Sequence, residues 1–205
     1  MRTLFFIFLL AFLAGVILIG CVSSPPKNTG NACEIFEDKD GWYKATRKSY
    51  DKWKVPIHVQ LAIMHQESRF QEDAKPPRTK LLWVIPWSRK SSAYGYGQVK
   101  DGTWEWYQRD TGNSWADRDD FEDVADFIGW YGNVSHRKLG IAKSDAYSQY
   151  LAYHEGHGGY KRKTYRKKKW LIKVAKKVSR NAERYRAQLA RCEKDLNRGW
   201  SVWPF

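Results

Sequence analysis

One glutamate in this chain stands where a carboxyl group can be made to hold a proton. Glu67 closes the run Leu61-Ala62-Ile63-Met64-His65-Gln66-Glu67-Ser68. On a helix, Ile63 lies one turn before it on the same face. An apolar neighbour desolvates the carboxylate and raises its pKa. A general acid needs that shift to protonate a leaving oxygen near neutral pH. A glutamate at a helix end is more often simply solvated, so its position alone leaves both roles open. A second chemical cluster is His154-Glu155-Gly156-His157. It is one residue short of H-E-x-x-H, and a helix does not bring those two histidines to one face. With His136 as a third ligand a site is conceivable, but the spacing of the pair is poor for one, and no metal or organic cofactor is implied.

Two further segments give Glu67 a context. Ser91-Ser92-Ala93-Tyr94-Gly95-Tyr96-Gly97-Gln98-Val99 and Ala152-Tyr153-His154-Glu155-Gly156-His157-Gly158 follow it in order. The set resembles the lytic transglycosylase (SLT) family of the lysozyme superfamily. That family has a Glu-Ser pair at a helix end, a Gly-Leu-Met-Gln-like turn and an Ala-Tyr-Asn-Ala-Gly-like segment. The resemblance implies that Glu67 is the single catalytic acid/base. It also implies that Ser68, Tyr96, Gln98 and Tyr153 bind substrate, with Gly95 shaping the second motif and Gly156 ending the third. Tyr153 is expected to reach toward Glu67 and the sugar N-acetyl group. The chain departs from the pattern at Tyr96-Gly97 and at His154-Glu155.

The chemistry implied is cleavage of peptidoglycan between N-acetylmuramic acid and N-acetylglucosamine, ending in a 1,6-anhydro product. Most glycosidases need two carboxylates about 5–9.5 Å apart; this reaction needs one. Glu155 and Asp126 are the acids that would serve if a second were required, as in a goose-type lysozyme. A third reading is an inactive peptidoglycan-binding lipoprotein that keeps the fold.

The elements that must position these groups are helices. Helical spacing and end signals predict helices over Asp40–Trp53, Pro56–Phe70, Thr103–Arg109, Phe121–Tyr131, Ser144–Glu155 and Lys167–Asn197. Asp40 and Ser144 are read as caps, and Gly112 and Gly156 as stops. Residues 71–88 read as a Pro-interrupted loop around Leu81-Leu82-Trp83-Val84-Ile85-Pro86-Trp87, which could wall a cleft, touch membrane or pack on the core. No sustained strand alternation appears. The expected class is all-α, lysozyme-like, with room for a minor β-hairpin, in one compact domain.

Composition bounds the rest. The 205 residues are 42% hydrophobic and 28% charged, enough for a packed core and unlike a disordered chain. The net charge is +14 and there are 11 tryptophans, which suits an anionic partner and flat aromatic platforms. Residues 161–180 hold eleven basic side chains and no acid, a solvated face or a contact for anionic lipid or for acidic groups of the cell wall. Arg2 precedes an apolar run from Leu4 to Gly20, followed by Cys21. This reads as an export signal over 1–20 with lipidation at Cys21. An uncleaved membrane anchor is the alternative. The expected place is the outer membrane, with the domain in the periplasm. Residues 21–32 read as a tether, 33–198 as the domain and 199–205 as a tail. The remaining cysteines, Cys33 and Cys192, are expected to form a disulfide in that oxidising compartment. Peptidoglycan strands are the implied partner, nucleic acid is not expected, and a monomer is.

Overall fold

The structure is a computed structural model that describes residues 24–81, 85–89 and 91–201, with the side chains of 79–81, 85–89 and 199–201 outside that description. Among the described residues the order is α1 (Ala32–Asp38), α2 (Trp42–Trp53), α3 (Ile57–Ser68), β1 (Arg78–Leu81), β2 (Ile85–Arg89), α4 (Asp101–Thr111), α5 (Phe121–Leu139), α6 (Ala146–Lys161), a 3-10 turn (Thr164–Lys167) and α7 (Lys169–Ser201). The class is all-α with a minor hairpin.

The helix that ends in Glu67 lies at the centre. From Val59 to Met64 every residue of α3 is buried, so the expected stripe of Ile57, Leu61 and Met64 widens to the whole circumference. A helix apolar all round belongs inside a core, and α2, α5, α6 and α7 all pack against this one. Its one buried polar residue in that stretch, Gln60, donates from Nε2 to the carbonyls of Val55 (2.9 Å) and Thr46 (3.3 Å), tying the α2–α3 corner. Helix α3 stops two residues before the expected Phe70. Arg69 (φ 55°) and Phe70 (φ 64°) are both left-handed, a conformation costing about 1–2 kcal/mol per residue. Burial offsets it: Phe70 has no exposed surface and packs on Trp42 and stacks on His65.

Several ends differ from expectation by a cap. The left-handed Gly41 precedes α2 with no side-chain cap, so Asp40 does not cap it. Asp145, rather than Ser144, accepts from Ser148 N (3.0 Å) at the start of α6. On α2, Tyr50 and Trp53 are only half-buried, and Thr46 and Ser49 join Trp42 and Ala45 on the inner face. Ser49 Oγ donates to Ala125 O (2.7 Å). Helix α5 runs past Tyr131 to Leu139, where Gly140 caps it. Helix α6 kinks at Gly156 (φ 71°, ψ 159°) and then resumes, so the expected stop is a bend.

The long α7 buries Leu171, Ala175, Val178, Ala182, Tyr185 and Leu189 along one stripe and continues beyond Asn197 into the stretch expected to be tail. Its partner at the N-terminus is α1, which the residue pattern did not announce. Asn31 caps α1 through Cys33 N (3.1 Å). Gln188 of α7 accepts from Ala32 N (2.9 Å) and donates to Gly30 O (3.2 Å). Cys33 and Cys192 form a disulfide, Cα–Cα 6.1 Å. Strands β1 and β2 pair antiparallel, Arg78 opposite Arg89 and Leu81 opposite Ile85. They fall inside the stretch read as a loop; the side chains of its 81–87 aromatic segment lie outside the described residues. So do the 1–20 segment, Cys21 and residues 202–205. Among the described residues no helix is long and apolar enough to cross a membrane.

Candidate active site

The last turn of α3 delivers Glu67 into the space between the Tyr94–Val99 turn and α6. Burial pushes its pKa from 4.5 up to about 7, against a smaller downward pull from the Tyr150 hydroxyl, which donates to its carboxylate. A carboxylic acid that still holds half its protons at neutrality can donate one to an ether oxygen. Tyr150, on α6, is itself buried. It lies one helical turn before Tyr153 on the same face. That i, i+3 pairing is the signal by which Tyr150 could have been found from the sequence.

The turn opposite is built from backbone. Tyr94 and Val99 exchange both backbone hydrogen bonds (3.2 Å each). Gly95 is left-handed (φ 74°), and a Cβ there would sit 1.8 Å from Arg118 O. Only glycine fits, because Tyr96 N must also reach that carbonyl (3.1 Å). At Gly97 a Cβ would crowd the Tyr153 hydroxyl at 2.9 Å. That hydroxyl instead donates to Gly97 O at 2.6 Å, holding the turn to α6. Gln98 (φ 48°) donates from Nε2 to Ala74 O (2.7 Å) and Gly95 O (3.1 Å).

These groups enclose two cavities that share only Glu67 and Gln98 in their linings. One, about 380 Å³, is walled by Phe127, Tyr131, Tyr153 and Gly156, with Glu155 at its edge. The other, about 600 Å³, is walled by Gln66, Ser68, Arg69, Lys75 and Lys177. The aromatic cavity can hold sugar rings, which stack on flat apolar faces.

Glu67, Ser68, Gln98 and Tyr153 are thus brought together at one site. Ser68 is buried, with its Oγ donating weakly to Met64 O (3.4 Å). One expectation needs correcting. Tyr96 cannot bind substrate through its ring: it is 2% exposed and packs edge-on against Trp42 and Phe121. Tyr153 lines the cavity and lies in the field of Glu67 as expected; its hydroxyl donates to Gly97 O, and the hydrogen bond to Glu67 comes from Tyr150.

The two reserve acids are tied up. Asp126 accepts from Trp53 Nε1 (2.7 Å), Tyr107 (2.8 Å) and Lys52 (3.2 Å), and lines neither cavity. Glu155, its side chain 3% exposed, accepts from Lys168 (2.7 Å), Thr164 and His154 (3.2 Å). Burial works to raise the Glu155 pKa, but the hydrogen bonds from Lys168, Thr164 and His154 outweigh it and hold it near about 2. The histidines diverge. His157 Nε2 pairs with Ser135 Oγ (2.9 Å), while His136 Nδ1 meets Ile141 O (2.9 Å). Among the described residues no cluster of three or more His, Cys, Asp or Glu could hold a metal ion.

No curated protein and no solved structure matches the chain. The sequence model of one family, the transglycosylase SLT domain, matches residues 8–192 and so takes in every group of the site just described. That reach, over most of the molecule, places the chain in the transglycosylase SLT domain family, the lytic transglycosylases that act on peptidoglycan.

Proposed function

We propose that the chain cleaves the β-1,4 bond between N-acetylmuramic acid and N-acetylglucosamine, with Glu67 as its single general acid/base. The carrying observation is a proton-holding carboxyl, raised to about 7, at the wall of an aromatic cavity. Glu67 donates its proton to the bridging oxygen as the C1–O4 bond breaks, leaving an oxocarbenium-like centre at C1. The acetamide of the same sugar stabilises that centre. Glu67, now a carboxylate, takes the proton of the C6 hydroxyl as O6 bonds to C1. The products are a 4-hydroxyl end and a 1,6-anhydromuramoyl end, the enzyme returns protonated, and no water is consumed.

Tyr150 assists the second half by donating to the carboxylate while it is charged. Tyr153 and Gln98 act on the turn that closes the cavity.

A hydrolytic second reading has one observation in its favour: Glu155 borders the same cavity and is held ionised. Its oxygens are already occupied by Lys168, Thr164 and His154, so it is poorly placed to hold an attacking water. Mass spectrometry of fragments released from sacculi decides. Anhydro ends support the single-acid reading; reducing ends alone overturn it and make Glu155 the second carboxylate.

Anchoring belongs to the same proposal. Cys21 carries lipid, the domain lies in the periplasm against the outer membrane, and the basic stretch 161–180 faces anionic surface. A Cys21→Ala chain should move from the membrane to the soluble fraction on cell fractionation; retention in the membrane would refute the lipid anchor.

A further inference from the structure

The aromatic cavity beside Glu67 is about 380 Å³, which is the low end of the size for one small ligand. A glycan strand is a polymer, so most of it must lie on the surface outside. What that surface offers next to the cavity decides how firmly a strand is held.

Among the described residues, two large apolar side chains stand open to solvent, Trp115 and Trp170, the latter 56% exposed. A single exposed tryptophan is ordinary on a protein surface. Trp170 is set apart by its neighbour. Its ring meets that of His154 at 5.2 Å and 79°, and His154 lines the aromatic cavity beside Tyr153 and Gly156. The open indole begins where the cavity wall ends.

It is also held in place. Leu171, the next residue, has no exposed surface and roots the first turn of α7 in the core. Lys168, two residues before Trp170, donates to Glu155 (2.7 Å), and Thr164 of the 3-10 turn donates to the same carboxylate. These bonds fasten the break in α6 at Gly156 to the start of α7. The pairing that occupies the Glu155 oxygens thus fixes where Trp170 stands. A platform set in advance costs less to use than one that must be ordered on binding. His154-Glu155 is also where the third motif departs from the family pattern, so this arrangement belongs to the chain and not to the motif.

We propose that Trp170, held by His154 and Glu155, stacks on a sugar ring of the glycan strand outside the aromatic cavity, and so gives the chain a preference for long strands over short ones. The inference rests on the glycan-cleaving function proposed above and adds a second point of grip. A pyranose ring packs its C–H face on the indole and keeps its hydroxyls in water. A disaccharide seated in the cavity does not reach Trp170; a longer strand leaving past His154 does.

The test measures binding, which is separable from cleavage. The full chain carrying Glu67→Gln, labelled with 5-fluorotryptophan and purified in non-ionic detergent, is titrated with two probes. They are the N-acetylglucosaminyl-N-acetylmuramic acid disaccharide and an eight-sugar glycan strand freed of peptide by an amidase. The fluorine signal of Trp170, assigned by its loss in Trp170→Phe, should shift with the strand and stay in place with the disaccharide. By calorimetry, Trp170→Ala should bind the strand about tenfold more weakly, and Trp170→Tyr should recover most of that loss.

A strand that leaves the Trp170 signal unmoved, or that binds Trp170→Ala as tightly as before, overturns this proposal and leaves the cleavage chemistry standing. Equal weakening of disaccharide and strand in Trp170→Ala also overturns it, because a distorted cavity wall would do the same. Reducing ends in the sacculus digest, with the strand-dependent shift intact, overturn the chemistry and leave the platform standing.

Discussion

Glu67 and Glu155 border the same cavity, both near breaks in helices, and carry their protons oppositely. Glu67 follows six buried residues of a central helix and meets one tyrosine hydroxyl, so its carboxyl is pushed up to about 7. Glu155 sits before the Gly156 kink, where Lys168, Thr164 and His154 converge and hold it near about 2. The difference lies in the donors that each helix end collects. The end of α3 turns away into Arg69 and Phe70, and of the polar groups around it the Tyr150 hydroxyl is the one that lowers the Glu67 pKa by a hydrogen bond. The end of α6 is followed at once by a polar 3-10 turn and the start of α7. Two residues of one type thereby become a carboxyl that keeps its proton near neutrality and a structural ion pair.

The comparison breaks most visibly at Glu67. Glu67→Gln should lower the rate of anhydro-product release by about 10²–10⁴-fold, read by chromatography of sacculus digests. An equal loss in Glu155→Gln would erase the distinction. In the unaltered chain kcat/KM should fall about tenfold per pH unit above about 7, as the acid loses its proton. A rate that stays flat through pH 8 would remove Glu67 as the acid.

The same two residues should move stability in opposite directions. The folded state keeps Glu67 protonated up to about 7, whereas its ordinary pKa is 4.5. Folding stability is therefore lost as pH rises between those values. Glu67→Gln removes the cost, so it should gain about 2–3 kcal/mol above pH 7, with the gain vanishing near pH 4. For Glu155 the sign reverses: its contribution is full above 4.5 and is lost as pH falls toward about 2. Glu155→Gln should cost about 1–3 kcal/mol at neutral pH. Urea melts across the pH range read both.

How much of this was legible beforehand follows from which interactions are local. Glu67, Gln98 and Gly156 stand out because they fall in short motifs, and the helices around them are announced by spacing over three or four turns. The failures are of another kind. Tyr96 looks like cleft wall because it stands inside a motif. Its burial depends on Trp42 and Phe121, which are distant in sequence. Helix α1 is too short to show a period and exists because Gln188 and Cys192 receive it. The β1–β2 pair comes from a stretch whose prolines read as a loop. The larger cavity draws on residues more than a hundred positions apart, Arg69 and Lys177, so no local pattern announces it.

The smallest expected effect belongs to Tyr150, and it separates two tyrosines that the motif treats together. Tyr150 donates to Glu67 and favours its charged form, so Tyr150→Phe should raise the Glu67 pKa and shift the alkaline limb of the rate profile upward by less than about one pH unit. The rate on the plateau should fall a few-fold, because the carboxylate formed in mid-reaction loses a hydrogen bond. Tyr153 donates to Gly97 instead. Tyr153→Phe should leave that limb in place and loosen the turn, raising KM for sacculus fragments more than it lowers kcat. If both variants shift the limb alike, the two hydroxyls share Glu67, and the assignment of one tyrosine to the proton and the other to the turn fails.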